Sequence, residues 1–492
     1  MVKSIIRRGL IMLIKDQKLY IKKYSVLEKE NDNNKIIIWP DLPYWIYVND
    51  SIVHLLELIN DNTFYQIINK AQQVFQSVIN EDEVSEFLDA LLESGAITQG
   101  NSEDTIVSTK LDNVIRYITF NITDACNLYC KHCYINASNK KSTNISLDNA
   151  KIIIDKITPY MVKSCNVIVS GGEAFLNPNY LDILKYFNQK GKGKLTLVTN
   201  GTLITSEIAK SLKSINNLSI QISLDGYSKD VHEMIRGKNT YNKTIKGIKL
   251  LVSEGHQVYL SPIVTSELFN ELKDYFYLAK ELGVMAVFLQ PINDVGRAKT
   301  NDMKRVNDAE VFKKLVELYE DDPELIKYIP GTLECKYVTN IKLLNKCMYC
   351  GTGSATLTIQ PDGTCYPCPN NICSQMKIGN ILTDDFEKLW YHSPILARLR
   401  NLNVDTNLAI ECSECIVKHF CGGGCRGVTL QNTGDISGLS PYCNYEKAQR
   451  IEMLWVAAQK PYLFESEVSR TLHNDELSEL ETKEVLLALG LK

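Results

Sequence analysis

From Tyr117 onward the sequence repeats a short apolar run followed by an amphipathic stretch of helical period. The pairs are YITFNIT with LDNAKIIIDKI, NVIVSGG with YLDILKYFNQ, KLTLVTNG with SEIAKSLKS, LSIQISLDG with YNKTIKGIKLLVSEG, and VYLSPIV with LKDYFYLAKELG; AVFLQP ends the series. Strands alternating with helices predict a parallel sheet, because a parallel pair needs a long crossover and a helix supplies it. About six such units predict an α/β fold, a partial (β/α)6 barrel over residues 115–312. In such sheets functional side chains gather on loops at the carboxyl ends of the strands. Cys126 to Cys133, Ser170 to Glu173, Asn200, and Ser223 to Gly226 all fall there.

The outlying number in the composition is fifteen cysteines. Three stand at 126 to 133, eleven between Cys335 and Cys443, and the first hundred residues have none. A hydrophobic share of 45% with 23% charged residues is that of a soluble globular chain. A net charge of -4 gives no push toward nucleic acid or a membrane surface. No apolar run approaches the roughly 20 residues of a bilayer span, and the amino-terminal GLIMLI is too short for an export signal and lacks a small-residue cleavage site. The chain is therefore expected in the cytoplasm, with neither nucleic acid nor membrane as partner, where clustered cysteines hold metal or do redox chemistry.

Residues 1–100 open with alternating apolar stretches and then turn helical in SIVHLLELI and DEVSEFLDALLESGAI, with Gly95 at a helix stop. This predicts a small α+β domain of a few strands followed by about three helices, then a polar linker at 101–114. Beyond the barrel come a connector and cysteine-rich domain at 313–450 and a helical tail at 451–492, whose LSELETKEVLLALGLK is expected to pack on the body.

In NITDACNLYCKHCY, Cys126, Cys130 and Cys133 are spaced C-x3-C-x2-C. Structural zinc takes four tetrahedral ligands; His132 is a possible fourth, but it neighbours Cys133 and would strain the loop. A four-iron cubane on three thiolates instead leaves one iron without a protein ligand, and an open iron can bind and activate a reagent.

CNLYCKHCY resembles the cluster motif of the radical S-adenosylmethionine (radical SAM) enzymes, with His132 where an aromatic residue is usual. The resemblance implies a [4Fe-4S] cluster on these three thiols, its fourth iron chelated by S-adenosylmethionine. Ser170, Gly171, Gly172 and Glu173 of SGGEAFLNP resemble the segment that receives the cofactor's amino group. Ser223 and Asp225 of SLDG, with Arg236 of HEMIRG, resemble the segment that grips its carboxylate and ribose, and Asn200 joins them at a strand end. Arg suits a carboxylate because its planar fork binds in bidentate fashion. The family's chemistry is one-electron cleavage to methionine and a 5'-deoxyadenosyl radical that removes a hydrogen atom from the substrate. It implies a low-potential electron donor such as flavodoxin or ferredoxin, and no catalytic side chain is assigned beyond cluster and cofactor.

Farther on, Cys350, Gly363 and Cys368 precede a C-x2-C-x5-C-x3-C run at Cys412, Cys415, Cys421 and Cys425, with Cys443 last. Together with CGGGCRG these resemble the SPASM extension, which implies two auxiliary [4Fe-4S] clusters. The resemblance assigns Cys412, Cys415, Cys421 and Cys443 to one and Cys350, Cys368 and Cys425 to the other, with Cys347 as its fourth ligand. Cys165 is read as core, leaving Cys335, Cys365 and Cys373 spare, or Cys365 in place of a neighbouring ligand.

SPASM proteins mostly modify peptides or proteins, and YWIYVNDSIVHLLELI with DEVSEFLDALLESGAI resembles the small winged-helix-like element that captures leader peptides in the biosynthesis of ribosomally made peptides, which implies a winged-helix-like domain over residues 1–100. The resemblance to sactipeptide-type maturases implies a precursor peptide with a leader, joined from cysteine sulfur to carbon in a thioether. Carbon-carbon crosslinking and epimerisation stay open, the latter with Cys373 as a conceivable hydrogen donor. Sulfatase maturases carry an aspartate after the cysteine matching Cys368, where this chain has Pro369. A plain structural cap, and an iron-sulfur carrier or scaffold, are the non-enzymatic alternatives for the first domain and the whole.

Overall fold

The computed structural model describes residues 12–100, 113–140, 143–328 and 347–464. Most of the expected linker, Cys335 and the LSELETKEVLLALGLK segment of the tail lie outside the described residues.

The first hundred residues build β1 (Leu19–Ile21), β2 (Ser25–Leu27), β3 (Asn34–Trp39) and β4 (Tyr44–Asn49), then α1 (Asp50–Glu57), α2 (Phe64–Phe75) and α3 (Glu81–Ser94); β5 (Ile97–Gln99) returns to pair antiparallel with β1. The helices start where the sequence supplies caps, Asn49, Thr63 and Asn80, each accepting a backbone N–H of the first turn. Strands β2, β3 and β4 form an antiparallel sheet. Its middle strand is buried on both faces: Ile37 and Trp39 enter this unit's own core, while Ile36 and Ile38 join the core of the body. Tyr47 meets Trp455 edge-on at 6.2 Å, and Lys29 donates to Glu452 at 3.1 Å. The unit is thus seated on the helix Cys443–Gln459.

The body begins with β6 (Ile115–Asn121), α4 (Leu147–Ile157), β7 (Met161–Ser170), α5 (Tyr180–Gln189), β8 (Lys194–Thr199), α6 (Ser206–Leu212) and β9 (Ser219–Ile222). It continues with α7 (Lys229–Arg236), α8 (Tyr241–Ser253), β10 (Gln257–Leu260), β11 (Ile263–Val264), α9 (Ser266–Asn270), α10 (Leu272–Leu282), β12 (Ala286–Val287), β13 (Gln290–Pro291), α11 (Arg297–Thr300) and α12 (Asp308–Asp321). Strands β6, β7, β8, β9, β10 and β12 lie parallel in that order, the six strands of the alternating pattern.

The sheet does not stop at β6. From the cysteine-rich region β14 (Thr356–Ile359) adds in parallel to β6, and β15 (Thr364–Tyr366) and β16 (Gly379–Asn380) continue antiparallel, making nine strands. The sequence division at 312 therefore separates two parts of one continuous sheet, whose first strand would otherwise offer an open edge. The register gives this sheet two unlike faces. Ile118, Val167, Leu197, Ile220 and Val258 are buried in the apolar core that the helices cover. Alternate positions on the opposite face carry a mixed set, Thr119, Asn121, Ser170, Gln221 and Thr358 with Ile168, Val198 and Tyr259 among them. No described helix is long and apolar enough to cross a membrane.

Candidate functional site

The loop that follows β6 holds Cys126 and Cys130, both buried, and half-buried Cys133. Burial pushes the Cys126 thiol up to about 12 and raises that of Cys130, so a metal that takes them as thiolates must displace their protons. The next strand end laces onto this loop: Gly172 N donates to Thr123 O at 2.9 Å and Glu173 N to Ala125 O at 2.8 Å. A Cβ on Gly171 would stand 2.3 Å from Thr123 O, and one on Gly172 2.0 Å from Ala125 O. The close approach that the two glycines permit is thus to the backbone entering Cys126.

Glu173 is 1% exposed. Its carboxylate accepts from Thr199 Oγ1 at 2.8 Å, Asn200 N at 2.8 Å and Phe175 N at 3.3 Å, and burial raises its pKa against those bonds. It therefore pins the ends of β7 and β8 together. Asn200 in turn donates from Nδ2 to Asn127 Oδ1 at 2.9 Å, inside the thiol loop. Ser223 N donates to Thr199 O at 3.1 Å, which sets the next strand end beside them.

Asp225 is fully buried and accepts from Arg236 Nε at 2.6 Å and Ile263 N at 2.9 Å, with His132 Nε2 at 3.2 Å. Burial alone would raise its pKa, but the Arg236 guanidinium and His132 outweigh that and hold its carboxyl well below the usual carboxylate range. Asp225 is fully committed to these partners, and it fixes Arg236 with Nη1 3.8 Å from Cys130 Sγ. His132, the departure from the usual aromatic residue, ties the thiol loop to the same carboxylate.

One residue escaped the sequence reading. Buried Arg297, at the start of α11, donates from Nε to Cys130 O at 2.7 Å and from Nη1 to Ala137 O at 2.8 Å, and its N donates to Cys133 O at 3.0 Å. Its guanidinium also lies 4.0 Å above the Tyr129 ring. Gly296, at φ +57°, leaves no room for a Cβ, which would meet Cys133 O at 2.6 Å. A lone arginine after a short strand carries no periodic or motif signal; only the preceding glycine hinted at a tight backbone.

The C-terminal thiols form two sets. Cys350 and Cys425 each act on the charge of Cys368; Cys415 and Cys443 act on Cys412, and Cys415 on Cys421. Cys347 packs against Gly422, where a Cβ would stand 2.5 Å from its Sγ, and against Tyr349 O at 3.5 Å. Cys165 and Cys365 are buried in the apolar core, and Cys373 packs at its margin. Fully buried Arg426 donates from Nη1 to Ile436 O at 3.1 Å and Gly438 O at 2.8 Å, while its Nη2 is buried without a partner among the described residues. Its charge acts on Cys350 and on Cys412, one from each set.

Soft thiols in sets of three and four, with a buried cation and an unused donor between two of them, suit anionic iron-sulfur clusters. Among the described residues no three His, Cys, Asp or Glu side chains gather as ligands of a single ion do; a cubane's thiolates each bind a different iron.

Residues 120–276 match the Radical SAM superfamily, and residues 350–416 match the SPASM iron-sulfur cluster-binding domain. The chain is 30% identical over 315 residues to the antilisterial bacteriocin subtilosin biosynthesis protein AlbA of Bacillus subtilis, covering 62% of this chain and 66% of that protein. It is 26% identical to the AdoMet-dependent heme synthase of Methanosarcina barkeri, covering 69% of this chain and 99% of that one. In fold it is similar to Streptococcus suis SuiB bound to its precursor peptide SuiA, with a TM-score of 0.57 at 16% identity, covering 88% of this chain and 99% of that one. The chain is thus a radical SAM protein with a C-terminal SPASM domain, binding a [4Fe-4S] cluster with S-adenosylmethionine in the barrel and auxiliary iron-sulfur clusters in the SPASM domain.

Proposed function

We propose that this chain matures a ribosomally made precursor peptide by joining a cysteine sulfur to a carbon of another residue. The observation that carries the reading is a small strand-and-helix unit seated on a radical SAM body that also holds two further thiol sets. Relatives named for bacteriocin biosynthesis and for a peptide-bound complex support it. Among the described residues β4 pairs only with β3, so its other edge is open to an added strand, as leader capture by strand addition requires.

When bound, the cluster and S-adenosylmethionine supply the 5'-deoxyadenosyl radical that takes a hydrogen atom from the substrate. In this reading Cys126, Cys130 and Cys133 hold the cluster. Arg236, aimed by Asp225, meets the cofactor carboxylate, and the backbone of Ser170 to Glu173 meets its amino group. Asn200 and Ser223, at neighbouring strand ends, line the ribose side. The sheet face that carries Thr119, Asn121, Ser170 and Gln221 would receive the peptide.

The bond-forming step balances as follows. One C–H and one S–H bond break and one C–S bond forms; the hydrogen atom leaves with 5'-deoxyadenosine, the sulfur proton goes to solvent, and one electron must leave. Cys350, Cys368, Cys425 and Cys347 would hold the nearer auxiliary cluster as the acceptor for that electron. Tyr134 supports the proximity, since Cys133 of the thiol loop and Cys368 both act on its hydroxyl. A flavodoxin- or ferredoxin-class protein then exchanges electrons with the enzyme.

The test is anaerobic co-expression with a cysteine-bearing peptide encoded beside this chain, followed by mass spectrometry. The reading expects loss of two hydrogens per bond, with the cysteines blocked from alkylation. Free thiols on a peptide lighter by two hydrogens would shift the reading to a carbon-carbon crosslink, and unchanged mass with altered stereochemistry to epimerisation.

A further inference from the structure

The two C-terminal thiol sets are surrounded by unlike groups, and this inference rests on their reading as ligands of two auxiliary clusters. At the first set, amide side chains face sulfur: Asn371 Nδ2 is 3.1 Å from Cys368 Sγ, and Asn370 Nδ2 is 3.3 Å from Cys425 Sγ. The Thr352 hydroxyl also bonds Cys368 and accepts from Asn371 Nδ2 at 3.2 Å. Backbone N–H groups of Thr352 and Arg426 point at Cys350.

The turn Pro369–Asn371 that presents both amides is firmly held. Gln431 Nε2 donates to Asn370 O at 2.7 Å, and Gly427 has no Cβ to collide with that oxygen, which would lie 2.5 Å away. Asn371 is fully buried, and its Oδ1 has no partner among the described residues, so the donor end of the amide is the end in use.

At the second set the neighbours are acidic. Buried Glu446 acts on Cys421 and Cys443, and Glu411 acts on Cys412 and Cys443, while Arg426 at Cys412, Arg450 at Cys421 and Lys447 at Cys443 counter in part. A backbone donor from Gly423 reaches Cys421. Hydrogen bonds to cluster sulfur favour the more negative, reduced state, and a nearby carboxylate disfavours it.

We propose that Asn370 and Asn371 hold the first auxiliary cluster at a higher reduction potential than the second, making it the better electron acceptor of the pair. Neither residue touches substrate; both act through the thiolates, as positioning residues for the electron's path.

The experiment is a redox titration followed by electron paramagnetic resonance on the anaerobically reconstituted full chain. Signals are assigned by their loss in Cys368→Ala and Cys415→Ala. In Asn370→Leu and Asn371→Leu the first auxiliary cluster should be retained, with its midpoint lowered while the other two stay fixed. The double variant should lose about tenfold in preference for the reduced state, which is about 59 mV for one electron. Should Asn371→Leu fail to fold, Asn370→Ala at the half-buried position carries the same test alone. An unchanged midpoint with iron content intact, or a native first cluster titrating below the second, overturns the proposal. If Cys368→Ala removes no signal, the ligand reading falls first, and the proposal falls with it.

Discussion

In the barrel, three thiols stand within eight residues of one loop, and backbone contacts do most of the work of placing them. The eight C-terminal thiols proposed as ligands come from positions spread between 347 and 443, and side chains face their sulfurs. The barrel loop is gripped mainly through its backbone by Gly171, Gly172, Gly296 and Arg297, with Arg236 Nη1 reaching one sulfur, that of Cys130, at 3.8 Å. The C-terminal turn at Asn370 and Asn371 touches sulfur directly. A site that leaves one iron open needs its three corners fixed by the scaffold, whereas sites that pass electrons can be adjusted by the groups facing them. Substitutions around the first should therefore break it, and substitutions around the second should shift it.

The largest expected difference is between thiols. Cys130→Ala should bring 5'-deoxyadenosine formation to background, while Cys412→Ala should keep measurable cofactor cleavage without peptide crosslinking. Chromatography of 5'-deoxyadenosine alongside iron analysis checks both, and full turnover by Cys130→Ala would end the radical reading.

Next come the glycines. Gly172→Ala forces a Cβ to within 2.0 Å of a backbone oxygen that no rotamer change relieves, so it should destabilise by at least about 3 kcal/mol. Gly434→Ala, with nothing within 4 Å at φ +78°, should cost only about 1 to 2 kcal/mol of left-handed strain. Denaturant melts of the two variants give the comparison, and equal losses would mean the loop contact is not decisive.

Arg297→Met strips donors from two buried carbonyls of the thiol loop and should cost about 2 to 4 kcal/mol. The cluster's visible absorbance on dilution should decay faster, with Arg297→Lys recovering part. Retention equal to the parent would remove Arg297 from the account.

The smallest effect is expected where the first domain meets the second auxiliary loop. Asp41 pairs with buried Lys418 at 2.6 Å, but its own side chain is 61% exposed, so Asp41→Asn should cost less than about 1 kcal/mol. A larger loss of thermal stability would make this contact an anchor of the first domain.

What the sequence made legible follows the same division. The six barrel strands announce themselves because helices alternate with them, and the three thiols because they lie within eight residues. The joining of β14 to β6 was hidden, since Thr356–Ile359 reads as a short run before a turn and its partner lies more than two hundred residues earlier. The commitment of Asp225 to Arg236 and His132 depends on three loops meeting, as does the Arg297 clamp, and neither leaves a period or a spacing. Asn370 and Asn371 read as loop residues; their amides gain meaning only once helix 426–433 brings Cys425 alongside.

The central claim is that a radical made over the three-thiol loop takes hydrogen from a carbon of a bound peptide. The most direct measurement supplies the reconstituted enzyme with precursor peptide deuterated at the carbon that becomes joined to sulfur, and analyses the 5'-deoxyadenosine formed. The account predicts one deuterium in 5'-deoxyadenosine for each bond made. Crosslinked peptide accompanied by unlabelled 5'-deoxyadenosine would contradict it.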